Sequence, residues 1–420
     1  MRTPRLILSV LCEVLALVGM ARPAVAQCNW SGVGTATIVR ALTFFDDGTG
    51  PALYAAGSFP RPGGGPAFNV ARWDGTEWSP VGTGMESVGL FHQPPQVLAL
   101  AVFDDGSGAA LYAAGYFDTA GGVTANKIAK WDGVAWSPLG SGMNPDPPEI
   151  FPVSALTVFD DGTGPALYAG GSFIAAGGVV ANNIAKWNGV GWSALGSGTN
   201  GSVGALTVFD DGTGAALYAG GGFTAAGGVE ANYVAKWDGA EWSPLGGGVA
   251  GRPPALLPSV SALAVYDDGT GPALYVGGVF VTAGDVGALS IARWDGAQWS
   301  ALGIGMSGYT DRATVIALTV HDDGTGASLY AGGNFLTAGG VTSNSVAKWD
   351  GTRWSPLGGG MSGGHPFFGP YVFALASFDD VTVPELNGLY AGGWFSAAGG
   401  VPADNIVKWS CTMPQPPTPR

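Results

Sequence analysis

The chain has 420 residues, 46% hydrophobic and 11% aromatic, which is enough apolar mass for a large core and excludes wholesale disorder. Its 73 glycines fall well short of every third residue and no G-X-Y triplet runs through it, so it is not a collagen. With 17 Lys and Arg against 31 Asp and Glu, the net charge is −14, which argues against a nucleic-acid or anionic-membrane partner.

Residues 1–26 read as a secretory signal, with Arg2 and Arg5 at the start, a largely apolar run from Leu6 to Gly19 that only Glu13 interrupts, and a small-residue cleavage site at Ala24-Val25-Ala26. The run is short of the ~20 residues of a membrane span, and no later segment is long and apolar enough for one. Gln27 occupies the place where a lipoprotein signal wants a small residue. The expected product is secreted, periplasmic or at the cell surface. Loss of three arginines and one glutamate with the signal takes the charge to −16. It also leaves two cysteines, Cys28 and Cys411, in an oxidising compartment.

The first element after the signal is Asn29-Trp30-Ser31-Gly32-Val33-Gly34, a strand-like piece whose sequence returns later in the chain. A D-D-G-T-G-like segment follows at Asp46 and recurs at Asp104, Asp160, Asp210, Asp267, Asp322 and Asp379, seven copies in all. After each copy come a run like A-L-Y-A-G-G-x-F, then A-G-G-V, then N-I-A-K-W-D-G, and last W-S-P-L-G. In the third copy, Ser154 to Phe159, Ala166 to Phe173, Asn183 to Trp187 and Trp192 to Leu195 are short runs rich in β-branched and aromatic residues between Gly and Asp/Asn turns. Four short strands per repeat of 50 to 58 residues describe a propeller blade, and no window keeps a helical period. A β-solenoid, the structural competitor, has shorter repeats.

The last copy stops after its third strand, Asn405 to Trp409, and runs into a Pro-rich tail over residues 412–420. The missing fourth strand is the N-terminal Asn29–Gly34 piece, so that strand is expected to complete the last blade and close the ring. Aligned on the hairpin Trp131–Trp136, Cys411 and Cys28 stand where the chain would otherwise turn, and a disulfide there would replace the turn. The alternative is two free or metal-binding thiols. The expected fold is all-β, a seven-bladed β-propeller over residues 27–411 with four antiparallel strands per blade.

The order L-Y-x-G-G, N-x-I-x-K-W-D-G and W-S-x-L-G resembles the kelch repeat. The A-G-G variant is similar to the kelch-like propellers of fungal cortical polarity-marker proteins and of secreted bacterial proteins. The resemblance implies the fold over residues 28–411 and no particular activity. Galactose oxidase, the kelch-type enzyme, needs a cross-linked Cys and Tyr, a second Tyr and two His. This chain has no spare Cys once the closing bridge forms, and its 3 His are scattered. A sialidase-type arginine cluster is likewise missing from the sequence.

Calcium at the Asp pairs would need more oxygen ligands than two adjacent carboxylates, so these are read as structural turns and no cofactor is expected. The basic residue of each [KR]-W step, such as Lys130 or Lys186, is expected to form ion pairs that hold hairpins or neighbouring blades. His321 replaces the usual Phe or Tyr before an Asp pair and reads as a repeat variant. Function is sought where the repeat breaks, in the junctions from one blade's fourth strand to the next blade's first. Phe91, His92, Tyr309, Arg312, His365, Phe367, Phe368 and Tyr371 lie in these junctions and are the candidate ligand contacts. The Asn29-Trp30-Ser31 sequon matters only in a glycosylating host. The expected protein is a monomeric binding or cell-surface scaffold module for an extracellular protein or glycan, and the alternative is a glycan-active enzyme using the same loops.

Overall fold

A computed structural model describes residues 27–34, 36–59, 68–87, 94–144, 152–251, 257–309 and 312–412. The signal segment 1–26, Phe91, His92 and the tail beyond Thr412 lie outside the described residues.

Among the described residues every regular element is a strand. In the third copy, Val153–Asp160, Pro165–Gly171, Ile184–Trp187 and Trp192–Ala194 form one antiparallel sheet in that order. The third strand starts one residue later than the sequence pattern suggests because Asn183 takes φ 66, a left-handed conformation that ends the ladder. Seven sheets of the described residues are four-stranded on this plan. Their innermost strands neighbour one another in a closed cycle, in which Ile38–Asp46 lies against Gln96–Asp104 on one side and Tyr371–Phe378 on the other. The fold is a β-propeller.

The last four-stranded sheet is assembled from both ends of the chain, with the order Gln27–Gly32, Ile406–Thr412, Gly388–Trp394, Tyr371–Phe378. Trp30 faces Trp409 there as Trp136 faces Trp131 in the second blade. Cys28 faces Cys411 in the same register, and the two are disulfide-bonded across a separation of 383 residues.

Neighbouring blades are held by the fourth-strand tryptophan. The Trp192 indole Nε1 donates to the Leu139 carbonyl of the preceding blade at 2.9 Å, and Trp242 does the same to Leu195 at 2.9 Å. The seam obeys the same rule: Trp30 donates to Leu357 at 3.2 Å and Trp78 to Val33 at 2.8 Å. Close approach between blades explains the double glycine. A Cβ on Gly220 would sit 2.3 Å from Val260 Cγ1 of the next blade.

Candidate functional site

The propeller has two rims of different chemistry. On one, each Asp pair closes the turn between first and second strands. Asp160 Oδ1 accepts from the backbone N–H groups of Gly162 at 2.9 Å and Gly164 at 3.0 Å, and both glycines take the positive φ the turn requires. Asp161 Oδ1 accepts from Thr163 Oγ1 at 2.7 Å, while its Oδ2 accepts from Tyr168 Oη at 2.9 Å and Lys186 Nζ at 2.6 Å. Tyr168 and Lys186 are cross-strand partners on the second and third strands, so this ion pair lies within a single blade. Burial pushes the Asp161 carboxyl up, but the bonds from Lys186, Thr163 and Tyr168 outweigh it and hold the group at about 2. The same carboxylate–tyrosine–base cluster occurs at Asp47, Asp105, Asp211, Asp268 and Asp323. In the last blade carbonyls take the carboxylate's place: Tyr390 Oη donates to Leu386 O at 2.9 Å, and Lys408 donates to the Glu385 carbonyl.

The W-D-G turns share this rim. Asp132 Oδ1 caps the backbone N–H groups of Val134 and Ala135, both at 2.8 Å. The turn's Gly133 sits against the Asp47 carbonyl of the preceding blade, so the two families of acidic turns abut around the ring.

The opposite rim carries the interblade junctions. Each A-G-G-V segment there folds into a miniature hairpin, an element absent from the four-strand expectation. Ala175–Ala176 pairs with Val179–Val180 and also with Met143–Asn144, the start of the preceding blade's exit. These small sheets stitch one blade to the next and place the junctions and the turns between second and third strands on the same side.

On this side the structure gathers four of the sequence-predicted residues into one cluster beside the last blade. Backbone hydrogen bonds in both directions between His365 and Gly369, at 3.0 and 2.9 Å, close a tight loop. Asn334 Nδ2 of the preceding blade donates to the carbonyls of Phe368 at 2.8 Å and Pro370 at 2.9 Å, and Ser345 Oγ donates to Pro370 at 2.9 Å. Tyr309 covers Gly369, where an added Cβ would meet its ring at 3.1 Å. The His365 ring lies 4.7 Å from Phe368, 5.9 Å from Phe367 and, edge-on, 5.2 Å from Trp394. Trp394 is the cross-strand partner of Tyr371. Phe367 is 82% exposed, Phe368 47% and Tyr309 38%, although the loop beneath them is fixed. Tyr309, His365, Phe367 and the adjoining glycines line a cleft of about 530 Å³. The described residues lining it include no carboxylate.

Arg312 is exposed on the same junction as Tyr309 but does not line this cleft. His321, on the acidic rim, is buried, bonds Ser377 Oγ through Nδ1 at 2.9 Å and takes the place of the usual aromatic residue. Among the described residues no group of three or more His, Cys, Asp or Glu side chains is arranged to hold a metal. Sequence reasoning missed two residues. Asn334 anchors the site loop from an otherwise ordinary second strand. Arg40, on the first innermost strand, has its guanidinium 4.2 Å from the centre of the Phe373 ring.

No protein-family model matches the chain, and no curated protein does. Among solved structures it is similar to the extracellular domain of a hybrid two-component system from B. thetaiotaomicron, at 12% identity and a TM-score of 0.51 over 92% of this chain. This chain spans 40% of the length of that one. BBS1N in complex with ARL6DN matches at 11% identity and a TM-score of 0.47, over 94% of this chain and 98% of that one. The Niastella koreensis GH74 enzyme matches at 15% identity and a TM-score of 0.44, over 91% of this chain and 55% of that one. At such identities the likeness concerns the fold.

Proposed function

We propose that this protein is an exported, monomeric, kelch-like propeller that acts as a binding or cell-surface scaffold module and takes its ligand on the junction rim beside the last blade. The observation that carries this reading is Phe367, a large aromatic ring left 82% exposed on a loop that Asn334 and Ser345 pin to the preceding blade. Exposed apolar rings on a rigid loop keep the ordering cost of binding low. Export is supported by the signal-like residues 1–26 and by the Cys28–Cys411 disulfide, which persists in oxidising compartments. A glycan-hydrolysing centre would call for paired carboxylates, which the described lining of the cleft does not supply.

The test is a screen of immobilised glycans and extracellular proteins with the wild type beside Phe367→Ala and Tyr371→Ala. At least one ligand is expected to lose tenfold or more in affinity on Phe367→Ala, with the melting temperature unchanged. Folded variants that keep every wild-type interaction would refute the assignment.

A further inference from the structure

Each of the seven innermost strands carries a register irregularity at the same place, near its start on the junction rim. The residue at that bulge is Arg40 in the first blade and Leu98, Ser154, Gly204, Ser261, Ile316 and Phe373 in the others. Because the innermost strands form a closed cycle, these seven positions ring one mouth of the propeller's axis. Apart from the acids that begin the turns at their far ends, Arg40 is the only charged residue among the described innermost strands.

Arg40 is partly buried, and that burial lowers its pKa. An arginine nevertheless stays ionised and carries five N–H donors. Among the described residues its guanidinium has no carboxylate partner, and its contact is the Phe373 ring face. The acid ending its own strand, Asp46, lies six residues on, roughly 20 Å at a strand's rise per residue. That exceeds the Debye length of ~8 Å at physiological salt, so the acidic rim does little to neutralise Arg40.

A path of rings leads away from this cation. Phe373 stacks on Tyr371 at 5.4 Å, Tyr371 faces Trp394 across the strand pair, Trp394 meets His365 at 5.2 Å, and His365 lies beside Phe368 and Phe367. The path thus joins a cation at the axis, without a carboxylate partner among the described residues, to the exposed aromatic cleft at the rim. A peptide adding to the innermost strands would meet an edge kinked by the bulges, which blunt pairing. A ligand offering flat C–H faces to the rings and one oxyanion to the arginine fits better.

We propose that Arg40 is an oxyanion-binding residue and that the ligand of the aromatic rim is an acidic saccharide, its carboxylate held by the guanidinium and its sugar rings laid along the aromatic path. This deepens the binding-module reading and rests on it. The full chain is titrated calorimetrically with a galacturonate trimer, the matching neutral galactose trimer and an acidic hexapeptide, using wild type, Arg40→Gln and Phe367→Ala. The galacturonate trimer is expected to bind the wild type at least tenfold tighter than the neutral trimer. Arg40→Gln should abolish that preference while leaving neutral-trimer affinity and melting temperature unchanged.

Galacturonate affinity unchanged in Arg40→Gln, no preference over the neutral trimer, Arg40-dependent capture of the peptide instead, or no binding of any probe would each overturn the proposal. If the galacturonate and neutral trimers bind alike and both are lost only in Phe367→Ala, the rim reading stands and the Arg40 assignment falls. If Arg40→Gln lowers the melting temperature, Arg40→Lys takes its place. That variant keeps the charge and loses the planar fork, so reduced galacturonate affinity supports the assignment and unchanged affinity overturns it.

Discussion

Replacing Asp161 by Asn tests whether the acidic rim stabilises the blades or merely decorates them. The substitution keeps the side chain's shape but removes the charge that accepts from Lys186 at 2.6 Å and Tyr168 at 2.9 Å. Lys186, whose side chain is 12% exposed, would then lose its counterion. The carboxyl sits at about 2 in the folded chain against its ordinary value of 3.8. That difference corresponds to roughly 2 kcal/mol, which screening at the solvated rim cuts to about 1–2 kcal/mol. Because the folded value is depressed, the contribution is fully present above about pH 4 and is lost as the pH falls towards about 2. Urea denaturation of wild type and Asp161→Asn at intervals from pH 7 to pH 2 should therefore show a stability gap at neutral pH that closes below about pH 4. A gap that persists unchanged at pH 2, or no gap at pH 7, would refute the reasoning.

Removing the closing disulfide with Cys28→Ser and Cys411→Ser together should cost about 3–5 kcal/mol and make the Gln27–Gly32 strand exchange its amide hydrogens first. Equal melting temperatures and exchange patterns for the two forms would contradict this. Gly220→Ala should destabilise by about 1–3 kcal/mol, because its Cβ would press on Val260 at 2.3 Å, whereas Gly191→Ala, which meets nothing within 4 Å, should be near neutral. Thermal melts of the pair check the contrast. Burial, opposed by the nearby acids Asp323, Asp322 and Asp379, lowers the pKa of His321. Its share of stability is thus present above the ordinary histidine value and lost as the pH falls below it, so wild type should lose more stability than His321→Phe between pH 7 and pH 5.

The fold was legible because one unit is written seven times and the last copy lacks the strand that opens the chain. The cysteine register followed from the same alignment, and Cys28 opposite Cys411 is what the structure shows. The ion pairs were foreseen at the right residues in six repeats, while Lys408 in the seventh donates to a carbonyl instead; whether the pairs lie within or between blades depends on cross-strand register. Tyr168 opposite Lys186 settles that, and no single strand's sequence contains it. The A-G-G-V hairpins escaped notice because their strands are two residues long, too short for a period-2 pattern. Of the candidate site residues, Tyr309, His365, Phe367 and Phe368 come together because they break the repeat in adjacent junctions. Tyr371 joins them through Trp394. Arg40 stayed hidden because it sits inside a strand that otherwise follows the repeat, at a bulge that a hydrophobic pattern does not reveal.

The two rims differ in what their polar groups have left to offer. On the acidic rim the scaffold consumes the charge: Asp160 caps two backbone N–H groups through one oxygen, and both oxygens of Asp161 accept hydrogen bonds from side chains. A calcium ion, which wants about 6–8 oxygens, would have to displace Lys186 and break the turn to bind there. The net charge of −14 is therefore chiefly turn chemistry, repeated, and its field is strongest on a face with few uncommitted ligands. On the junction rim the balance is reversed, since the loop's hydrogen bonds are spent on backbone carbonyls and leave ring faces exposed along a path that ends at the Arg40 guanidinium. A ligand that carries negative charge would be repelled from the first rim and held at the second, so the charge asymmetry built by the turns would also orient what approaches.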